Sequence, residues 1–277
     1  MTDKKFGKYI IQNIIKSGGM AHVYKAIDPT TKEVVAIKTL HSANTNRRAV
    51  NGFIQEAKML KKLNHPNIVQ VIDFGKEDKT FYTVMEYIEG EDLKKLLLHK
   101  KVEDFHRKHD IISQIGIGLH YLHENNIIHK DIKPENILVS KNNEVKIIDF
   151  GLAHYNRLRI FTLNQQFIDG TPTYMSPEQI QKRHVDNRTD IYSYGILIYE
   201  MLTGRVPYQA NDKNAIMRAH IDIHTRPRSI SYYDSNIQKN TENCVMKAIE
   251  KNPNERYKTV SEMILDFSRS KIYKKGE

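Results

Sequence analysis

Four groups able to do chemistry fall close together in this chain. Asp131, Lys133 and Asn136 lie within His129-Lys130-Asp131-Ile132-Lys133-Pro134-Glu135-Asn136, and Asp149 follows a short apolar run at the head of Asp149-Phe150-Gly151. Phosphoryl transfer from a metal-bound nucleotide requires a carboxylate to orient the attacking hydroxyl, a cation on the moving phosphoryl group and oxygen ligands for Mg²⁺. These four side chains include a group of each type.

Such groups need a scaffold that turns them toward one point. Upstream, short β-rich runs alternate with turns: residues 9–15, 23–28 and, past the breaker Asp28-Pro29-Thr30-Thr31, 34–39. Residues 47–63 carry Phe53, Ala57 and Leu60 at helical spacing and stop at Asn64-His65-Pro66-Asn67, and further strands are expected over 68–74 and 80–86. The expectation is a five-stranded antiparallel sheet plus one helix over residues 1–87, then a hinge at Ile88-Glu89-Gly90 and a mainly helical part over 88–277. In that part residues 105–124 set Ile111, Ile112, Ile115, Leu119 and Leu122 on one face, and 191–202 is apolar nearly all round, the pattern of a buried helix. No internal repeat or low-complexity linker intervenes, so the two parts read as lobes of one α+β unit with the catalytic loops at their junction.

Composition narrows the function classes. At 277 residues, 39% hydrophobic and 27% charged, the chain is globular rather than disordered. No stretch approaches the roughly 18 apolar residues of a membrane span. Met1-Thr2-Asp3-Lys4-Lys5 lacks the apolar core of a secretory signal, so the expected location is the cytoplasm. Cys244 is the sole cysteine, which rules out an internal disulfide and fits a reducing compartment. Lys and Arg number 43 against 33 Asp and Glu, a net +10 that would attract nucleic acid, anionic lipid or acidic proteins. The charge is scattered, however, and its densest cluster, 271–275, reads as a solvated tail, so nucleic-acid binding is not expected as the main role. The 13 histidines show no paired metal spacing.

Further strings extend the pattern. Small residues between strands let backbone N–H groups approach a phosphate, and Ile15-Lys16-Ser17-Gly18-Gly19-Met20-Ala21-His22-Val23 offers such a turn, although an ordinary hairpin would look similar. Lys38 closes the strand Val35-Ala36-Ile37-Lys38, where a lone lysine is usually a solvated charge, and Glu56 follows on the expected helix. Later come Gly170-Thr171-Pro172-Thr173-Tyr174-Met175-Ser176-Pro177-Glu178, Asp190-Ile191-Tyr192-Ser193-Tyr194-Gly195 and Asn252-Pro253-Asn254-Glu255-Arg256.

In this order, over roughly residues 9–268, these strings resemble the eukaryotic-like (Hanks-type) bacterial serine/threonine protein kinases, catalytic domain. The resemblance implies the bilobal protein-kinase fold, ATP and Mg²⁺ (Mn²⁺ as the alternative cation), and protein substrates with Ser or Thr acceptors, the chain itself included through self-association. It implies that Asp131 orients the hydroxyl and takes its proton, that Lys133 and Lys38 neutralise phosphate charge, that Glu56 holds Lys38, that Asn136 and Asp149 hold the metal, and that Thr171 bonds near Asp131 and Lys133. Residues 15–23 correspond to the glycine-rich loop, with Lys16 and Ala21 standing where the family has its first and third glycines. Val23, Ala36 and Leu138 would sandwich the adenine. Met85 would be the gatekeeper, Glu86 and Ile88 the backbone contacts, and Asp92 a further nucleotide-binding residue. The same resemblance implies a buried Glu178–Arg256 pair, an Asp190 that tethers the catalytic loop, and a His129 that supports Phe150 rather than a ligand. Lys130 stands where most relatives have arginine, and Thr162 is the only Ser or Thr between Asp149 and Thr171, so weak control by loop phosphorylation is expected. Two alternatives stay open: a pseudokinase-type nucleotide-binding scaffold, favoured by the altered glycine loop and Lys130, and a small-molecule kinase of the same fold. The chain ends at Glu277 without a membrane anchor or sensor, as either a complete soluble kinase or a catalytic fragment would.

Overall fold

The computed structural model describes residues 4–17, 21–40, 47–149, 154–155 and 172–269, and only the backbone of Arg47, Arg48, Ala49, Glu56, His154 and Tyr155. The chain divides into two compact units, Met1–Glu89 and Gly90–Glu277.

The first unit contains β1 (Lys5–Phe6), β2 (Tyr9–Ser17), β3 (Ala21–Ile27), β4 (Val34–Leu40), the helix α1 (Arg47–Leu60), β5 (Val71–Glu77) and β6 (Thr80–Glu86). Its strands form one antiparallel sheet in the order β1-β2-β3-β4-β6-β5, six strands where five were expected. The additional strand pairs Phe6 with Tyr9 across a turn in which Gly7 adopts φ 57, and two residues are too few to show a periodic pattern. β5 also begins later than expected. Ile68 and Val69 are buried, but Ile68 N–H donates to His65 O within a turn rather than to a neighbouring strand. Alternation along β4 buries Val35 and Ile37, which join Tyr24, Ala26, Tyr82, Val84, Phe6 and Tyr9 in the core. The intervening residues Ala36 and Lys38 therefore share the other face.

The second unit begins at Gly90, where β7 (Gly90–Asp92) pairs with β9 of that unit (Ile137–Ser140). A Cβ on Gly90 would collide with the Val139 carbonyl, so glycine is required there. After β7 come α2 (Leu93–Leu98), α3 (Phe105–Glu124), β8 (Ile127–Ile128), then β9, β10 (Val145–Ile147) and β11 (His154–Tyr155). The remaining helices are α4 (Pro177–Ile180), α5 (Arg188–Thr203), α6 (Lys213–Ile221), α7 (Lys239–Ala248) and α8 (Val260–Arg269). Asp104 caps α3 by accepting Arg107 N–H at 2.9 Å, and the five apolar residues expected on its inner face are all buried. Every residue of α5 from Thr189 to Leu202 is buried, and Gly204 ends the helix at φ 69. α3 packs on α5 and α8, and α5 on α7. No helix among the described residues is long and apolar enough to cross a membrane.

Candidate active site

The segment between β8 and β9 is held from below by the first turn of α5. Asp190 is fully buried there and receives His129 N–H on Oδ2 and Lys130 N–H on Oδ1, each at 2.8 Å, while His123 Nε2 meets Oδ2 at 2.8 Å. Burial alone would raise this carboxyl, but the His123 hydrogen bond, the nearby imidazoles and the backbone N–H groups hold it below the usual carboxylate range. An ionised, acceptor-only anchor thus fixes two successive amides, and it lets Lys130 adopt a left-handed φ of 67. His129 completes the frame. Asp131 N–H donates to its Nδ1 at 3.3 Å, Nε2 bonds Ile148 O at 3.2 Å, and burial lowers its pKa, so the ring is a neutral strut. Phe150, which it was expected to support, lies outside the described residues.

Three of the four candidate groups meet at one carboxylate. Lys133 Nζ lies 2.7 Å from Asp131 Oδ2, and Asn136 Nδ2 lies 2.9 Å from the same oxygen and 2.8 Å from the Asp131 carbonyl. Among the described residues nothing donates to Oδ1. A carboxylate only accepts, so the Asn136 amide must turn Nδ2 inward and keep Oδ1 as its own acceptor, the atom a hard cation would take. Ile148 N–H donates to Asn136 O at 2.9 Å, which sets Asp149 one residue beyond a bond to Asn136. Asp149 is exposed at φ 62, a conformation aspartate tolerates better than most residues. An amide oxygen just before β9 and an exposed carboxylate just after β10 fit a Mg²⁺-type ion. Thr171, expected beside Asp131, lies outside the described residues.

The nucleotide candidates fall on two surfaces. In the first unit Val23 stands opposite Lys38 across β3 and β4, and Ala36 opposite Met85 across β4 and β6, so all four share the face turned from the core. Ile15, Lys16 and Ser17 end β2, and Ala21 and His22 begin β3; Ser17 Oγ meets His22 Nδ1 at 2.9 Å, while Gly18, Gly19 and Met20 lie outside the described residues. Glu86 N–H donates to Gln70 O at 3.0 Å and its carboxylate accepts Gln70 N–H at 2.8 Å, which fastens the end of β6 just before Ile88. The Glu56 side chain is outside the described set, so its pairing with Lys38 is not described. In the second unit Asp92 stands opposite Leu138 across β7 and β9 and also caps α2 through Lys95 N–H at 2.9 Å.

The protein kinase domain family matches residues 9–266. The chain belongs to the protein kinase family. It is 37% identical over 265 residues to a probable serine/threonine-protein kinase of Clostridium acetobutylicum, covering 95% of this chain and 40% of that protein. It is 36% identical over 268 residues to the serine/threonine-protein kinase PrkC of Bacillus subtilis, covering 94% and 40%. Against the serine/threonine-protein kinase PknB of Mycolicibacterium smegmatis it is 35% identical over 268 residues, covering 95% and 43%. The chain thus spans about 40% of the length of these relatives.

Around this kinase catalytic loop the sequence reading missed two supports. Gln179 Nε2 donates to Lys130 O at 2.8 Å while its Oε1 accepts Ser176 N–H at 3.0 Å, so the helix that Ser176 caps also grips the loop. Ser176-Pro177-Glu178-Gln179 carries the S-x-x-Q capping signal that would have revealed it. The second lies away from the loop itself: Glu200 of α5 joins Lys94 Nζ of α2 at 3.0 Å to the buried Tyr174 hydroxyl, and Ser193 Oγ donates to Tyr174 O at 2.7 Å, which fixes the turn at residues 172–174 on α5. The Glu178–Arg256 pair is present and bidentate, at 2.8 and 2.9 Å.

Proposed function

We propose that this domain transfers the γ-phosphoryl group of ATP to Ser and Thr hydroxyls of proteins, its own chains included. The observation that carries the reading is the Asp131 carboxylate: Lys133 and Asn136 hold Oδ2, the loop beneath is anchored to Asp190, and Oδ1 is left for an incoming hydroxyl among the described residues. Asp131 orients that hydroxyl and takes its proton as the oxygen–phosphorus bond forms, and ADP leaves with the electron pair of the broken bond. Lys133, already beside Asp131, lies where its charge offsets that of the entering phosphoryl group, and Lys38 neutralises the other phosphates. Asn136 Oδ1 and the Asp149 carboxylate would hold the divalent cation, read as Mg²⁺, which would supply charge withdrawal from the phosphate oxygens. ATP as donor supports a cytoplasmic site of action.

Incubating the purified chain with labelled ATP·Mg²⁺ and casein, followed by phosphoamino-acid analysis, tests the reading. Label on serine or threonine that is lost in Asp131→Asn supports it. A folded protein that binds ATP·Mg²⁺ without transferring label would instead be a scaffold.

A further inference from the structure

The pairing of β2 with β3 breaks step near the end of β2. Ile14 stands opposite Tyr24 and Lys16 opposite Val23, so Ile15 is the extra residue of a β-bulge. In an unbroken strand Lys16 would share the face of Ile14. The bulge turns it to the other face. The neighbours agree: Tyr24 belongs to the core, and His22, which stands opposite Ser17, has its ring centroid 6.0 Å from that of Tyr24. Ser17, His22 and Tyr24 therefore lie on one face, and Lys16 and Val23 on the opposite one.

That opposite face also carries Ala36, Lys38 and Met85. Val23 pairs with Lys16 on one side and Lys38 on the other, so the three form a row across β2, β3 and β4. Two strand spacings, about 9–10 Å, separate the lysine backbones, a gap that two long side chains can close on a common anion. Lys25 lies in the next row, opposite Ala36, and its ammonium is already placed 4.9 Å from the Tyr87 ring centroid. Lys16 is exposed, and its ammonium has no hydrogen bond, ion pair or ring contact among the described residues. Neither β2, β3 nor β4 contains an Asp or Glu to offset these charges. A row of ammonium groups without carboxylates selects a polyanion.

We propose that the Lys16 ammonium contacts the phosphate chain of the bound nucleotide, as a second strand lysine beside Lys38. The inference rests on the ATP reading above and adds a charged contact to it. A glycine at this position, as the family has, could offer only backbone; lysine adds a movable point charge with three donors. Its attraction needs phosphate, so ADP and ATP feel it and adenosine does not. Because the side chain is exposed, salt weakens the contact.

Dissociation constants of adenosine, ADP·Mg²⁺ and ATP·Mg²⁺, measured by isothermal titration calorimetry for the wild-type chain, Lys16→Met and Lys16→Arg beside a thermal melt of each, test it. Lys16→Met should weaken ADP and ATP roughly tenfold, about the effect of one hydrogen bond to a charged group, and leave adenosine unchanged. Lys16→Arg keeps the charge and should keep most of the affinity, and added NaCl should narrow the gap between wild type and Lys16→Met. Wild-type binding of ATP that is unchanged in Lys16→Met overturns the Lys16 contact and leaves the ATP reading standing. A folded wild-type chain that binds neither ADP nor ATP overturns that reading and the contact with it. Equal weakening of adenosine and ATP would make Lys16 a support of the turn, and tighter binding in Lys16→Met would make it an obstruction; either overturns the proposal.

Discussion

Lys133 and Asn136 both reach Oδ2 of Asp131, at 2.7 and 2.9 Å, and among the described residues this asymmetry leaves the other oxygen for the proposed proton uptake. Asp131→Asn keeps the shape but puts an amide where proton uptake is needed, so turnover should fall by about 10²–10⁴. The Asp131 side chain is 34% exposed, and the melting temperature should hardly move. Steady-state phosphorylation beside a thermal melt checks both, and near wild-type turnover would sink the role. Lys38 presents the matching case in the first unit. Lys38→Met should abolish most activity, and Glu56→Gln should cost less, because the charge remains but loses its proposed holder; the reverse order in the same assay would show the pair misassigned. That Lys133 and Asn136 gather at Asp131 was legible from type and order along the chain. Which oxygen each side chain takes was not, because spacings of two and five residues do not fix a rotamer. Nor was His123 behind Asp190 legible, since those residues meet only through the packing of α3 on α5.

At the scale of elements, Arg256 joins segments that no single helix could hold. Its guanidinium takes both Glu178 oxygens and the carbonyls of Arg188, Glu250 and Lys251, so α4, the start of α5 and the chain after α7 converge on one buried group. Arg256→Met would leave Glu178 buried and uncompensated, which costs roughly 3–5 kcal/mol. At about 2–4 °C per kcal/mol for units of this size, the melting temperature should drop by on the order of 10 °C. A change within a degree or two would show the pair to be of little consequence for stability. The long helices were legible because burial imposes a period on them: α3 has the expected bounds, and the buried stretch of α5 covers the expected one. Short elements were not. β1 is two residues stabilised by its partner strand, and β5 is displaced along an apolar run that gives no sign of where pairing starts.

For the whole molecule, acid sensitivity combines these local facts. His129 and His220 are both buried, and burial lowers the pKa of each, that of His220 to about 3, with Lys251 adding to the shift. A histidine whose folded pKa lies below its unfolded value contributes stability in full above that unfolded value, 6.5, and loses it as pH falls toward the folded pKa. In that window the unfolded chain binds protons that the folded chain refuses, at about 1.4 kcal/mol per pH unit for each group. Glu178 acts lower down. Burial alone would raise its carboxyl, but Arg256 and Thr189 outweigh burial and hold it below 4.5, so its contribution is present above that value and is lost as pH falls through the folded pKa. Stability should therefore begin to fall below about pH 6.5, well before the carboxylates titrate, and fall more steeply below about pH 4.5. Urea unfolding followed from neutral to acid pH checks the shape. His220→Gln should lower stability at neutral pH by loss of the Tyr192 hydroxyl contact at 2.7 Å, yet flatten the slope between pH 6.5 and 4.5 by one histidine's share. Wild-type stability that is level across that interval, or a slope unchanged in His220→Gln, would mean that the buried ring takes up its proton in the folded state.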